Sequence, residues 1–166
     1  MRKATSAGAA LLVLLFAGSA AGAQDARALG RSAGGDRTTA VRVAQALLTQ
    51  PLALQLTRVR CERVNATGFC GLTLSGVKFH RRVDTASFRA EVDGLVRAAF
   101  AVDPAIAEVD LWVTVPLAAG KGAVVSGDFA MPSSATVFAV TVPRSGARGE
   151  FWDPAFRSEL ERGSAG

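Results

Sequence analysis

The chain has 166 residues, of which 49% are hydrophobic, and a net charge of +5 at pH 7. That length suits one domain, which buries roughly two-thirds of the surface that its unfolded chain exposes. One histidine and two cysteines are few ligands for a metal site. We therefore predict no bound metal and no cofactor.

Residues 1–23 have the three parts of a secretory signal peptide. A positive start precedes an apolar run over residues 9–17, and a small-residue cleavage site follows at 21–23. The apolar run is shorter than the roughly 20 residues of a membrane span, and an uncleaved anchor is the alternative interpretation. We predict export to the periplasm or the extracellular medium. Removal of Arg2 and Lys3 lowers the net charge from +5 to +3, and no later stretch is long enough to span a bilayer.

The rest of the chain divides into a tether, one domain and a tail. Residues 24–37 are polar and contain three glycines, which predicts a flexible tether. A single α+β domain is predicted over 38–163, followed by a disordered tail at 164–166. The predicted domain begins with a helix capped by Thr38 or Thr39 and ended by Pro51 and a hairpin of strands 56–64 and 69–79. It continues with a helix from Asp84 or Thr85 to Asp103, a strand over 109–115, a loop over 117–134, a strand over 135–142 and a helix from Pro154 to about Arg162.

This element order, α-β-β-α-β-β-α, predicts an α+β fold. A strand, helix and strand in succession imply a right-handed crossover with parallel pairing. The hairpins on either side make an all-parallel sheet improbable. We therefore predict a two-layer sandwich with a four-stranded mixed sheet and helices on one face.

The first hairpin has a register that its side chains define. Pairing that places Val59 opposite Leu72 and Thr57 opposite Leu74 sorts the apolar residues onto one face, because side chains alternate with period two. The same register brings Cys61 opposite Cys70, at a separation that a disulfide accepts. Redox exchange is disfavoured because the Cys-x-x-Cys spacing is absent, and export favours oxidation. We predict a structural disulfide.

The hairpin also carries most of the local positive charge. Residues 58–82 hold six basic side chains against Glu62 alone. One hypothesis is a contact patch for an anionic component of the cell envelope, and its candidate residues are Arg58, Arg60, Lys78, Arg81 and Arg82. The alternative is a solvated sheet face whose arginines discourage edge pairing. The patch lacks interleaved aromatic residues, which argues against nucleic acid.

The 117–134 loop is a second candidate site. Loops of that length tend to be functional or mobile. Its candidates are Lys121, Ser126 and Asp128, and His80 is the only histidine with which they could act. Neither a phosphate-loop pattern nor a nucleophile-elbow pattern is present. A small secreted hydrolase using His80 with a residue of this loop is therefore the alternative function.

The two tryptophans are the last candidates. Trp112 lies on the face of its strand opposite the valines, and Trp152 precedes the last helix. Either could form an aromatic platform for a sugar or a peptide, whereas one buried ring and one capping contact is the simpler interpretation. With no catalytic constellation, we predict an exported, non-catalytic domain with a binding or structural role in the cell envelope or outside the cell.

Overall fold

The computed structural model describes residues 25–30, 35–117 and 134–163. The predicted signal peptide, the predicted tail and most of the 117–134 loop lie outside these ranges. The described residues form, in chain order, α1 (Ala26–Leu29), α2 (Arg37–Leu48), β1 (Gln55–Val64), β2 (Thr67–Ser75), α3 (Thr85–Val102), β3 (Ile106–Pro116), β4 (Ser134–Pro143), β5 (Gly149–Trp152) and α4 (Pro154–Gly163).

The strands form one mixed sheet in the order β1-β2-β3-β4-β5. Strands β2 and β3 are parallel and every other neighbouring pair is antiparallel. The predicted α+β class and mixed sheet are therefore confirmed. The predicted four strands and the order α-β-β-α-β-β-α are wrong, because the described ranges hold five strands and also the helix α1. Both added elements are four residues long, too short to show a period in sequence.

The start of α2 also differs from the prediction. Asp36, rather than Thr38 or Thr39, is the N-cap. Its carboxylate accepts the Thr39 backbone N–H at 3.0 Å and the Thr39 hydroxyl at 2.7 Å, the usual way in which a free N–H of the first turn is satisfied. These hydrogen bonds lower the pKa of Asp36. Before it, α1 lies within the segment predicted as a tether, and its Leu29 is buried.

Helices α2, α3 and α4 share one hydrophobic core with the sheet. A row of partner residues crosses four strands from Val59 through Leu72 and Leu111 to Val140. Each is 2% exposed or less. Along each strand, the residues next to these four point to the other side of the sheet, and most are exposed or half-buried. The second side of the sheet, called the open face below, therefore carries no helix of the described chain.

The predicted register of the first hairpin is confirmed over most of its length. Cys61 pairs with Cys70 and the two form a disulfide, while Val59 pairs with Leu72. Toward the start of β1 the register shifts, so that Leu56 rather than Thr57 faces Leu74. Thr57 is the extra residue of a bulge, and its hydroxyl donates to the Thr73 carbonyl at 3.0 Å. Strand β2 also ends at Ser75 instead of residue 79.

The hairpin turn gives a direct test of backbone strain. Asn65 and Ala66 both have positive φ, at 48° and 68°, as the two central residues of a type I′ turn require. An alanine in this region costs roughly 1–2 kcal/mol, while glycine loses about 0.4–1 kcal/mol more entropy on folding. Ala66→Gly is therefore expected to raise the free energy of unfolding by about 0.5–1 kcal/mol in urea denaturation. Ala90→Gly in the interior of α3 should act with the opposite sign, and equal signs would contradict the argument.

Candidate functional site

The open face carries an aromatic row that crosses the sheet. Thr73, Trp112, Ala139 and Phe151 are successive partners on β2, β3, β4 and β5. Trp112 is 37% exposed and Phe151 is 51% exposed. Two strand spacings, about 10 Å, separate these two residues. The small side chain of Ala139 is the floor between them.

The position of the Trp112 indole depends on Gly71. A Cβ atom at Gly71 would lie 2.8 Å from Cζ3 of the indole, so the ring packs directly over the glycine backbone. The indole therefore leans toward β2 and away from β4. A shallow depression of about 230 Å³ lies over β4 and β5, with Ala139, Thr141 and Phe151 among its lining residues. Glycine at position 71 thus opens the space beside Trp112.

Polar groups lie in the next row of the sheet. Gly71, Asp110 and Thr141 are partners across β2, β3 and β4, and the Thr141 hydroxyl donates to the Asp110 carboxylate at 2.5 Å. A second depression, of about 190 Å³, lies beside Asp110. It is also lined by Phe69, Gly71 and the ion pair of Arg60 with Glu62. Phe69 is 37% exposed, so aromatic and hydrogen-bonding groups alternate across this face.

The charges of the open face nearly balance. Arg58 and Arg60 of β1 lie on it together with Glu62, Glu108 and Asp110, judged from the strand partners and the alternation of burial. Among the described residues, the open face thus carries two basic and three acidic side chains. The field over the aromatic row therefore does not select strongly for an anionic ligand.

The structure divides the five predicted patch residues between two surfaces. Arg58 and Arg60 lie on the open face, whereas Lys78, Arg81 and Arg82 follow the end of β2. There the chain turns into the helix layer, where the His80 N–H donates to the Ala53 carbonyl at 2.7 Å. Arg81 pairs with Glu91 of α3 at 2.5 Å, and Arg82 lines a depression that also includes Leu160 of α4. Because β2 ends at Ser75, Lys78, Arg81 and Arg82 do not lie on the same surface as Arg58 and Arg60.

Arg81 has a structural partner rather than a free charge. The Glu91 carboxylate is 6% exposed and also accepts the Ala53 N–H at 2.5 Å. Burial raises the pKa of Glu91, against the effect of these two partners. The guanidinium of Arg81 therefore compensates a buried acid that joins α3 to the segment before β1.

The described residues include only His80 of the four candidates in the hydrolase hypothesis. His80 is exposed, while Lys121, Ser126 and Asp128 lie outside the described residues. The His80 segment and the 117–134 connection leave the same end of the sheet, where the Gly76 N–H donates to the Thr114 carbonyl at 2.8 Å. Across the part of the chain that is described, no three metal-ligating side chains come together.

Sequence reasoning identified part of the aromatic row. It considered Trp112 as a platform but assigned no position and no role to Phe69. It missed Phe151 because β5 was not predicted. The other tryptophan, Trp152, is half-buried against the core and packs on Phe138 with ring centroids 4.6 Å apart.

The fold and the open face define an α+β domain with a shallow, aromatic, nearly charge-balanced surface. Within the described ranges, every helix is too short or too polar to cross a bilayer. The chain matches no family model, no curated protein and no solved structure.

Proposed function

We propose that the protein is an exported, non-catalytic domain that binds a glycan chain through its open face. The observation that carries this proposal is the row in which Trp112 and Phe151 stand on either side of Ala139. Both rings are exposed, both belong to one hydrogen-bonded sheet, and the space between them is free of large side chains of the described chain. Aromatic side chains exposed in such an arrangement are characteristic of recognition surfaces.

Export rests on the leader and agrees with the disulfide. Residues 1–23 have the order of parts that a secretory signal peptide requires. Cys61 and Cys70 are bonded to each other, and such bonds persist in the periplasm or outside the cell but are rare in a reducing cytosol. A cell-envelope or extracellular glycan is a ligand that this compartment supplies.

The chemistry of the open face supports a glycan over an anionic polymer. A flat aromatic ring can stack on the apolar C–H face of a sugar. The carboxylate of Asp110 and the hydroxyl of Thr141 lie one row away and can exchange hydrogen bonds with sugar hydroxyl groups. The nearly balanced charge removes the attraction on which an anionic polymer would depend. Depressions open to solvent also let a chain longer than the site continue past it.

Removal of the central ring is the test of this proposal. Trp112→Ala is expected to weaken binding of a neutral oligosaccharide by about tenfold, since truncation of a central aromatic contact commonly costs more than about 1 kcal/mol and about 1.4 kcal/mol is tenfold in affinity. Calorimetric titration with cellotetraose and with tetra-N-acetylchitotetraose measures the effect. Val77→Ala, which truncates a residue that is 65% exposed outside the row, is the control and should bind as the unaltered protein does.

Two results would contradict the proposal. The first is that the unaltered protein binds neither oligosaccharide, and the second is that Trp112→Ala binds as tightly as Val77→Ala. Sedimentation of the ligand-free protein tests another occupant of the same face. Dimerisation that Trp112→Ala abolishes would assign the aromatic row to self-association instead.

A further inference from the structure

Three arginines converge in the helix layer, away from the aromatic row. Arg27 of α1 and Arg37 and Arg42 of α2 line one shallow pocket of about 320 Å³, together with Thr38 and Val41. No acidic side chain is among the described residues that line it. The pocket therefore combines three guanidinium groups with one hydroxyl and one small apolar surface.

The geometry of two packed helices brings these side chains together. On α2, Arg37 and Val41 are four residues apart, as are Thr38 and Arg42, so all four share one side of the helix. At the C-cap of α1, Gly30 allows close contact with α2, because a Cβ atom there would lie 2.8 Å from both the Val41 backbone nitrogen and its Cγ2. This contact and the buried Leu29 hold α1 against α2, and Arg27 lines the pocket together with the two arginines of α2.

The carboxylates near this end of α2 are engaged elsewhere. Asp36 caps the helix, and Asp36 and Asp103 both pair with Arg63, at 3.5 Å and 2.9 Å. Arg27 and Arg37 form no ion pair with any described residue. Arg42 donates to the Val102 carbonyl at 2.7 Å and lies close enough to Asp103 to help lower the pKa of that carboxyl group. Among the described residues, the pocket therefore has two guanidinium groups without an acidic partner and a third, that of Arg42, whose charge Asp103 partly compensates.

We propose that this pocket, the α1–α2 pocket, binds the phosphate group of a ligand. Guanidinium groups match phosphate oxygens with paired, charge-assisted hydrogen bonds. The Thr38 hydroxyl can donate a further hydrogen bond, and the Val41 side chain can contact an ester substituent. The pocket exceeds the size of one phosphate, so a diphosphate or a phosphodiester with its neighbouring groups fits it. This site is independent of the proposed glycan surface.

Two probes distinguish a soluble phosphate ligand from a lipid headgroup. Pyrophosphate is titrated into the protein by calorimetry, and vesicles of phosphatidylglycerol with phosphatidylcholine are compared with pure phosphatidylcholine vesicles in a sedimentation assay. The double variant Arg27→Gln, Arg37→Gln is expected to weaken binding of one or both probes by about tenfold or more. The double variant Arg157→Gln, Arg162→Gln on α4 makes the same change in net charge and should leave binding within about twofold.

A third variant separates the pocket from charge alone. Gly30→Val keeps all three arginines but places a side chain where α1 meets Val41, so it should also weaken binding by several-fold. Melting temperatures of all three variants verify that the domain remains folded. Binding to pyrophosphate alone assigns a soluble phosphate ligand, and binding only to the anionic vesicles assigns a headgroup. Equal losses in both arginine double variants, or no binding of either probe by the unaltered protein, would overturn the proposal.

Discussion

Phe88→Ala is expected to lower the free energy of unfolding by about 3–5 kcal/mol, the usual cost of truncating a buried phenylalanine. Phe88 is 1% exposed and connects α3 to three other elements. Its ring lies 5.1 Å from that of Phe138 on β4, 5.7 Å from Trp152 at the end of β5 and 5.8 Å from Phe156 on α4. Removal of this ring leaves a cavity where those elements meet, and urea denaturation measures the loss.

Phe151→Ala provides a matched control, because the same atoms are removed from a residue that is half exposed on the open face. Its effect should stay below about 1 kcal/mol, since truncation there creates no cavity. Phe88→Leu should fall between the two. If Phe88→Ala and Phe151→Ala cost the same, the aromatic cluster would not be the part of the core that joins the helices to the sheet.

Local pattern was sufficient for the first hairpin but not for its ends. The alternation of Val59, Cys61, Cys70 and Leu72 specifies one register, because a shift by one residue would turn all of them to the wrong face. The pairing of Thr57 with Leu74 was predicted wrongly, because a bulge adds one residue to a strand without a change in composition that the sequence would show. The end of β2 was missed for another reason. Val77 is a strong β-former, yet the chain leaves the sheet before it and Val77 is exposed.

The elements that sequence reasoning missed depend on tertiary contacts. Strand β5 has only four residues, and its pairing of Trp152 with Phe138 of β4 places a ring in the core. Helix α1 is one turn, held by Leu29 and by the close contact of Gly30 with Val41. Isolated segments of this length are unstable. Their sequences therefore contain little of the information that positions them.

The residues of the two proposed sites also divide into those that local sequence pattern indicates and those that tertiary contacts position. Trp112 could be found from the phase of its strand, whereas Phe151 required β5 and Arg27 required α1. The predicted contact patch lay where positive charge is dense along the chain, at residues 58–82. Folding separated those residues, while Arg27, Arg37 and Arg42 came together from two helices. Basic residues that are close in sequence form one basic surface only where the chain stays on one side of the domain.

The double substitution of Cys61 and Cys70 by alanine is expected to lower the free energy of unfolding by about 2.5–3 kcal/mol. The bond closes a loop of about ten residues, and this value is the chain entropy that such a loop removes from the unfolded state. Both cysteines are nearly fully buried, and the Cys61 carbonyl accepts the N–H of Asp36 at 2.7 Å, so the loss also affects the start of α2. Urea denaturation with and without reductant makes the test specific. The reductant should destabilise the unaltered protein by a similar amount and leave the double variant unchanged. If the reductant lowered the stability of both proteins equally, its effect would not come from the disulfide, and the expected stabilisation by the Cys61–Cys70 bond would be contradicted.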